Sequence, residues 1–272
     1  MYKADIGVFG GTGFYSFLEA KEIIVETPYG ATSDKIALAE VEGKKVAFLP
    51  RHGKDHRYPP SKINYRANIW AFKKLGVKYI ISPCAAGSLQ PHIKPGDIVI
   101  LDQIFDATKS RVYTFFEGPI TTHVSFANPY NEYLRNLFIE KAKKLGLSFH
   151  EKGTVVVIEG PRFSTKAESK FYSKMGFEVI NMTQMPEAIL AREMQIPFAG
   201  VALITDYDVG LEGHPEIEPV SHKVAIENFI KNQEKMKELI LEVIKDIDLT
   251  REEPEHRALE NARFEIESIN LI

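Results

Sequence analysis

Short apolar runs alternate with longer amphipathic segments along most of this chain, and this alternation restricts the possible folds more than any other feature. The apolar runs have the length and composition of buried strands and cover Ile6–Phe9, 79–81, 98–101, Thr154–Ile158 and 199–205. Helical periodicity predicts helices at 61–75, 131–145, 164–175, 186–194 and from His222 to about residue 247. Two alternating runs, Ile36–Val41 and 46–49, flank Glu42-Gly43 and predict a hairpin. We therefore predict an α/β fold, a single domain with a mixed, largely parallel sheet flanked by helices on both faces.

Composition excludes several classes of protein. The chain has 272 residues, of which 44% are hydrophobic and 26% charged, which is enough to bury a large core. A net charge of -3 does not suggest a nucleic-acid partner. With one cysteine, Cys84, no intramolecular disulfide can form, and no apolar run resembles a membrane span or signal peptide, so we expect a cytoplasmic protein without a membrane partner. We assign residues 1–250 to the domain and 251–272 to a tail, predicted to be a solvated final helix or an oligomer contact.

A glycine-rich loop, Gly10-Gly11-Thr12-Gly13, follows the first predicted strand. Backbone N–H groups in such loops often bind phosphate, and the Thr12 hydroxyl could add a donor. The loop matches the dinucleotide-binding fingerprint only in part and lacks a Walker lysine. On its own it is equally consistent with a purely structural turn.

Arg51 and His52 lie at the end of the predicted hairpin. A guanidinium there could offer two parallel donors to an oxyanion and the imidazole one more, although a surface arginine and a capping histidine are an alternative. His52 and His56 are four residues apart, but Gly53 argues against a helix that would align them. We therefore expect no metal site.

Two acidic residues, Asp206 and Asp208, follow the apolar run 201–204. If the strand continues, residues two apart point to the same side, at the end of the strand where open sheets bind ligands. Neighbouring carboxylates raise each other's proton affinity, so one could act as a general acid. A polar turn with two solvated acids is the alternative.

The segment 159–165 ends one predicted strand and precedes a helix, with Ser164 or Thr165 at the cap and Glu168 in the first turn. Phe163 could stack on a planar ligand or pack in the core.

Taken in order, these motifs resemble the nucleoside phosphorylase family that contains methylthioadenosine phosphorylase and the trimeric purine nucleoside phosphorylases. The matching stretches are 10–13, 49–53, 60–70, 85–89, 159–164, 181–183 with 186–187, and 205–208. The resemblance covers roughly residues 6–247 and implies the fold of that family. It also implies a homo-oligomer, either a trimer or a dimer of trimers.

The resemblance assigns roles position by position. The implied phosphate site comprises Thr12, Arg51, His52, the backbone at Cys84 and Ala85, and Thr183. Met182 resembles the residue under the ribose, Phe163 and Ser164 lie beside the base, and Asp206 and Asp208 are the catalytic pair that binds the purine. His123 falls in a stretch similar to the loop that reaches into a neighbouring subunit, where it would close the 5′ end of the site. Inorganic phosphate would be a co-substrate, with no cofactor and no metal.

The implied reaction is phosphorolysis of a purine nucleoside to the free base and a ribose 1-phosphate, with Asp206 donating to purine N7 as the glycosidic bond opens. An acidic pair favours a 6-aminopurine, as in S-methyl-5′-thioadenosine or adenosine. His222, at the start of the last helix, would suit a 5′-hydroxyl, so a purine nucleoside phosphorylase acting on inosine or guanosine is the alternative. A nucleosidase, which would not need phosphate, and a dinucleotide-binding oxidoreductase are the other classes considered.

Overall fold

A computed structural model describes residues 2–10, 19–217 and 219–263, with His222 described by its backbone. The strands are β1 (Ile6–Phe9), β2 (Lys21–Ile23), β3 (Ile36–Val41), β4 (Lys44–Leu49), β5 (Tyr79–Ser88), β6 (Ile98–Ile100), β7 (Gln103–Ala107), β8 (Phe149–His150), β9 (Thr154–Ile158), β10 (Val179–Asn181) and β11 (Phe198–Asp206). The helices are α1 (Tyr65–Leu75), α2 (Glu132–Lys144), α3 (Lys166–Lys174), α4 (Gln184–Glu193) and α5 (His222–Asp246). Short 3₁₀ turns cover Pro60–Lys62 and Pro254–Arg257.

The described strands form one sheet with β5 at its centre. Its main path is β2-β3-β4-β1-β5-β10-β9-β7, while β11 pairs with β5 and β6, and β8 pairs with β6. Six of the pairings are parallel and four are antiparallel. The prediction of a mixed, largely parallel sheet is confirmed.

Helices cover both faces of this sheet. On one face, α1 and α4 contribute Ile69, Phe72 and Leu190 to a buried cluster that also contains Ile80 of β5. On the other face, α2 and α5 contribute Phe138 and Leu239 to a second cluster. Because successive strand side chains point to opposite faces, β5 serves both cores along one buried run.

Several predicted boundaries needed correction. The first helix begins at Tyr65, because residues 60–62 form a 3₁₀ turn and the Asn64 side chain accepts the Ala67 N–H as the N-cap. The helix predicted to open with Pro186 begins at Gln184, and its second and third residues have non-helical dihedral angles. The sequence did not predict β2, β7, β8 or β10, which have two to five residues each and therefore leave little periodic signal.

The hairpin and the cap of α3 agree with prediction. Glu42 and Gly43 have φ values of 48° and 76°, which a two-residue hairpin turn of type I′ requires. Thr165 and Glu168 form a complete capping box at the start of α3.

The described part of the tail packs against the domain without forming an α-helix. Glu253 and Glu255 are buried, and the Asn131 side-chain amide donates to both at 3.1 and 3.0 Å. The predicted final helix is therefore wrong for residues 251–263, where Pro254 begins a single 3₁₀ turn. Within the described residues, no helix is both long and apolar enough to span a bilayer.

Candidate active site

A gap along one edge of β5 organises the site. On that edge, β1 pairs with β5 up to Ile81, and β10 first pairs with it at Gly87. None of the described strands pairs with β5 between these points on that side. Ligands bind where neighbouring strands of an open sheet diverge in this way.

The direction of the backbone decides which groups face this gap. The Ile80 N–H bonds to Pro197 O just before β11, and backbone groups alternate in direction, so Pro83 and Ala85 face the opposite edge. Pro83 is tolerated in this central strand because its nitrogen lies outside the ladder with β11. The N–H of Ala85 therefore points into the gap, whereas that of Cys84 points toward β11. At the predicted Cys84–Ala85 backbone, the N–H of Ala85 is thus the group that faces the gap, and its contact with phosphate stays a prediction.

Arg51 follows β4 and lies beside the gap, with most of its donors already used. Its Nε donates to Glu187 Oε1 at 2.6 Å and its Nη2 to Glu187 Oε2 at 3.1 Å. Nη2 also donates to Ser82 Oγ at 2.7 Å, and Nη1 to Pro83 O at 2.8 Å. Of the five guanidinium N–H groups, one on Nη1 remains for an anion. The predicted bidentate donation is therefore wrong for this conformation of Arg51.

His52 offers an acceptor rather than the predicted donor. Burial, with the nearby charge of Arg51, lowers the pKa of His52 to about 4, so the ring is neutral at pH 7. Its Nδ1 lies 2.9 Å from Tyr58 O, an acceptor, which places the single ring proton on Nδ1. The unprotonated Nε2 can accept a proton or hydrogen bond from a protonated oxyanion.

Two of the remaining predicted phosphate residues, Cys84 and Thr183, are within the described structure. Cys84 is buried, and burial raises the pKa of its thiol to about 11, so the thiol stays neutral. Thr183 is buried at the N-cap of α4, and its hydroxyl makes no cap hydrogen bond there. Thr12 lies outside the described residues.

Asp206 and Asp208 come together, but not by continuation of the strand. β11 ends at Asp206, and Asp208 has a left-handed φ of 49°. The Asp208 N–H donates to Asp206 Oδ1 at 2.8 Å, and the Thr205 hydroxyl donates to Asp206 Oδ2 at 2.7 Å. Burial raises the pKa of both carboxyl groups, and Asp208 raises that of Asp206 further. The pair can therefore retain a proton, as a general acid requires.

Gly87 lets β5 approach this acidic pair closely. A Cβ at Gly87 would lie 2.8 Å from Asp206 Oδ1 and 3.1 Å from the Asp208 backbone nitrogen. Ala85, at the gap, and Gly87, beside the acids, are two residues apart along β5, or about 7 Å. The anion site at Ala85 and the carboxyl pair beside Gly87, which belongs to the end of β11, therefore lie a short distance apart.

The loop after β9 packs against the segment after β10. Gly160 has a φ of 64°, and a Cβ there would lie 2.5 Å from Met182 Sδ. Ser164 is buried in this loop, and the Ser169 and Ser164 hydroxyl groups partly offset the rise that burial causes in the pKa of Asp208. Phe163 is partly buried. The structure thus brings the predicted base-side residues next to the predicted ribose-side residue.

Comparisons with known proteins now bear on this arrangement. The sequence profile of the phosphorylase superfamily matches residues 5–245. S-methyl-5′-thioadenosine phosphorylase from Thermofilum pendens is 48% identical over 265 residues, which cover 96% of this chain and 99% of that protein. The corresponding enzyme from Saccharolobus solfataricus is 49% identical over 255 residues, covering 92% and 93% of the two chains. The chain belongs to the phosphorylase superfamily.

Solved structures of that superfamily share the fold. A methylthioadenosine phosphorylase from an antarctic soil metagenomic library has a TM-score of 0.91 and 43% identity, covering 98% of this chain and 95% of its own. A mutant adenosine/methylthioadenosine phosphorylase from Schistosoma mansoni, in complex with adenine, has a TM-score of 0.88 and 34% identity, covering 96% and 99%. The predicted family and fold class are therefore confirmed.

Two predicted histidines of this phosphorylase lie in other segments of the chain. His123 is exposed, and its backbone N–H donates to Ala262 O at 2.8 Å, next to the bridge between Thr122 and Arg263. His222 is the first residue of α5, which Ser221 caps through the Val224 N–H. Their predicted contacts with substrate remain predictions.

Sequence reasoning assigned no role to two groups of residues. One is Glu187 with Ser82, which together fix the Arg51 guanidinium; Ser82 Oγ donates to Glu187 Oε2 at 2.7 Å. Glu187 was noted only as part of a matching stretch. The other is Arg111, a buried arginine beneath the base and ribose segments. Local sequence patterns do not reveal either role, because the partners of these residues lie 31 to 136 residues away in the chain.

Proposed function

We propose that this phosphorylase cleaves purine nucleosides with inorganic phosphate, giving the free base and a ribose 1-phosphate, and that it prefers 6-aminopurine nucleosides. The observation that carries the proposal is that the anion site at Ala85 of β5 and the proton-retaining acid pair, which lies beside Gly87 two residues further along β5, are close together. A ribose placed between them would have phosphate at C1′ and the base at Asp206. Phosphate is the co-substrate in this proposal, with no cofactor or metal.

The phosphate side suits a nucleophile that still bears one proton. Donors come from the Ala85 N–H, the remaining Arg51 Nη1 hydrogen and the Thr183 hydroxyl, with Thr12 expected to add another. The His52 Nε2 accepts the hydrogen bond from the protonated phosphate oxygen. The buried Arg51–Glu187 pair has little net charge, so these aligned donors contribute more than the charge of Arg51 alone.

The base side suits a departing purine. As the C1′–N9 bond breaks, its electron pair moves into the purine and a phosphate oxygen bonds to C1′. Asp206 donates its proton to N7, the phosphate ester releases its proton through His52 Nε2 to solvent, and Asp206 takes up a proton from solvent, so the overall reaction conserves protons. An ionised Asp208 can accept a hydrogen bond from the 6-amino group, which a 6-oxo group cannot supply.

The nucleosides we favour are S-methyl-5′-thioadenosine and adenosine. The superfamily relatives named above are methylthioadenosine phosphorylases, and a Schistosoma mansoni mutant enzyme was solved in complex with methylthioadenosine. The position of His222 at the start of α5 keeps a second candidate, 5′-hydroxyl nucleosides such as inosine and guanosine. We also propose that the protein forms a homotrimer or a dimer of trimers, in which the exposed His123 reaches the site of a neighbouring subunit. A cytoplasmic location is proposed as well, and it suits the free thiol of Cys84.

The experiment is base release from methylthioadenosine, adenosine and inosine, each with and without inorganic phosphate. Phosphate-dependent release with an adenine nucleoside leading supports the proposal. Release that needs no phosphate would identify a nucleosidase instead. Asp206→Asn should abolish most activity on adenine nucleosides and raise relative activity on inosine; unchanged activity and selectivity would remove Asp206 from the mechanism.

A further inference from the structure

Arg111 lies in the loop after β7 and joins two separate segments of the site. Its side chain is 2% exposed. Nη2 donates to Glu159 O at 2.7 Å and to Ile158 O at 3.2 Å, at the end of β9. Nη1 donates to Met182 O at 2.7 Å and also to Met185 O, in the segment after β10. A single guanidinium therefore spans backbone carbonyls of two segments.

These two segments carry the residues on the nucleoside side, and the second also carries Thr183, a proposed phosphate donor. The end of β9 leads directly into Gly160, Phe163 and Ser164, and the other segment contains Met182. Met182 Sδ and Gly160 are already in close contact, so the separation of the segments has little freedom. By contrast, Arg111 makes no hydrogen bond to Arg51, His52 or Ala85 among the contacts of the described residues.

The neighbours of Arg111 account for part of its position but not for the whole. Its Nε lies 3.6 Å from Glu159 Oε1, and neither of these buried atoms has a hydrogen-bond partner within the described structure. The Glu159 carboxylate instead accepts the Lys109 N–H at 2.6 Å through Oε2. The best hydrogen bonds of Arg111 therefore go to backbone carbonyls, which set the path of the chain, rather than to its counter-charge.

We propose that Arg111 is a positioning residue for nucleoside binding: its guanidinium sets the separation between the Ile158–Glu159 strand end and the Met182–Met185 segment, and so the width of the pocket for base and ribose. The proposal rests on the proposed function, because it assumes that the nucleoside lies between these segments. A lysine cannot replace Arg111, since one ammonium cannot reach carbonyls on both segments in the geometry of a planar fork.

The test uses Arg111→Lys, which keeps the charge, and Arg135→Lys as its matched control. Arg135 also donates to backbone carbonyls of two segments, Leu101 O at 3.0 Å and Glu151 O at 2.8 Å, but none of these residues belongs to the site. Steady-state rates are measured with adenosine varied at saturating phosphate and with phosphate varied at saturating adenosine. Adenosine binding is measured separately by calorimetry without phosphate, and melting temperatures are recorded for both variants.

For Arg111→Lys we expect kcat/KM for adenosine to fall by about 30-fold or more and the calorimetric Kd to rise by about tenfold, with a smaller rise, below about fivefold, in the KM for phosphate through Thr183. Arg135→Lys should lower the melting temperature without either kinetic change. Added guanidinium ion should partly restore kcat/KM for adenosine in Arg111→Ala. It should have no such effect on Arg135→Ala. Equal changes in both KM values, or an adenosine kcat/KM within about threefold of wild type, would overturn the proposal.

A second variant keeps the test decisive if Arg111→Lys does not fold. Gly160→Ala leaves Arg111 intact, places a methyl group against Met182 Sδ and strains the left-handed backbone at Gly160, so it should displace the same two segments and weaken adenosine binding with the same kinetic pattern. Unchanged adenosine binding would refute the idea that this separation matters. Wild-type protein in the same assay distinguishes the two proposals: absence of phosphate-dependent base release refutes the proposed function, whereas an active wild type with an unaffected Arg111→Lys refutes only the positioning role.

Discussion

Gly87→Ala should impair nucleoside turnover by displacing the acidic pair without changing any group that contacts a ligand. The new Cβ would lie 2.8 Å from Asp206 Oδ1, 3.1 Å from the Asp208 nitrogen and 3.2 Å from Ile180 Cγ2. These atoms surround it on several sides, so the methyl group cannot simply rotate away. Because Gly87 does not have a positive φ, the effect comes from crowding rather than backbone strain.

The size of the effect depends on the hydrogen bond that must lengthen or break, which joins the Asp208 N–H to Asp206 Oδ1. Relief requires Asp206 Oδ1 to move by about 0.5 Å, yet this oxygen accepts the Asp208 N–H at 2.8 Å. Losing a hydrogen bond of this kind costs about 1.5–3 kcal/mol. If the loss appears in the transition state, kcat/KM for adenosine should fall by about 10- to 150-fold. The KM for phosphate should change little, because the atoms nearest the added methyl group belong to Asp206, Asp208 and Ile180 rather than to the phosphate donors.

Gly153→Ala is the matched control. A Cβ at Gly153 would lie 2.5 Å from Val99 Cγ1, so it is at least as crowded, but its neighbours are remote from the acidic pair. Both variants should lose about 1–3 kcal/mol of unfolding free energy. Rates are measured with adenosine and inosine, and stability by thermal melting. If Gly87→Ala retained wild-type kcat/KM, or if Gly153→Ala lost as much activity, the assignment of Asp206 and Asp208 to base binding would be wrong.

Three further predictions concern buried charges. Burial holds the pKa of His52 at about 4, below its unfolded value of about 6.5. The His52 contribution to the unfolding free energy should therefore be complete above pH 6.5 and fall by about 3 kcal/mol as the pH drops to 4. A His52→Gln variant whose melting temperature keeps this pH dependence would contradict the assignment to His52. Burial raises the pKa of Asp208, so stability should fall as the pH rises from the unfolded pKa of about 3.9 to the raised folded pKa. Asp208→Asn should therefore raise the melting temperature at pH 7 but not at pH 3, while lowering adenosine turnover. A melting temperature that is lowered at pH 7 would argue against this prediction. Arg51→Met leaves Glu187 buried without its partner and should lower the unfolding free energy by about 3–5 kcal/mol. Adding Glu187→Leu should restore the melting temperature but not the KM for phosphate. Recovery of both the melting temperature and the KM for phosphate would place phosphate elsewhere.

The acidic pair shows how a correct prediction can rest on the wrong local geometry. Sequence spacing predicted that Asp206 and Asp208 share one side of a continuing strand. They do come together, but through a left-handed residue and a hydrogen bond from the Asp208 N–H after the strand has ended. A spacing of two residues fits both arrangements, so the sequence could predict proximity but not the turn.

The phosphate side shows a different limit. The residue types around Arg51 and His52 correctly suggested a polar site, but the donors available there depend on partners distant in sequence. Glu187 and Ser82 occupy most of the Arg51 guanidinium, and Tyr58 O fixes the His52 proton on Nδ1. Hydrogen-bond capacity is shared among all neighbours of a buried group, and those neighbours cannot be identified from the motif.

The amino-acid sequence was sufficient to predict the alternating strands and helices, the hairpin turn, the capped helix α3 and the family, because each of these depends on residues close together in the chain or on long ordered motifs. The gap along β5, the direction of the Ala85 N–H, the neutral His52 and the bridging guanidinium of Arg111 depend on contacts between distant segments. Burial, strand register and the competition for hydrogen bonds are properties of the folded chain, so the chemistry of the site becomes definite only when β1, β5, β10 and β11 are packed together.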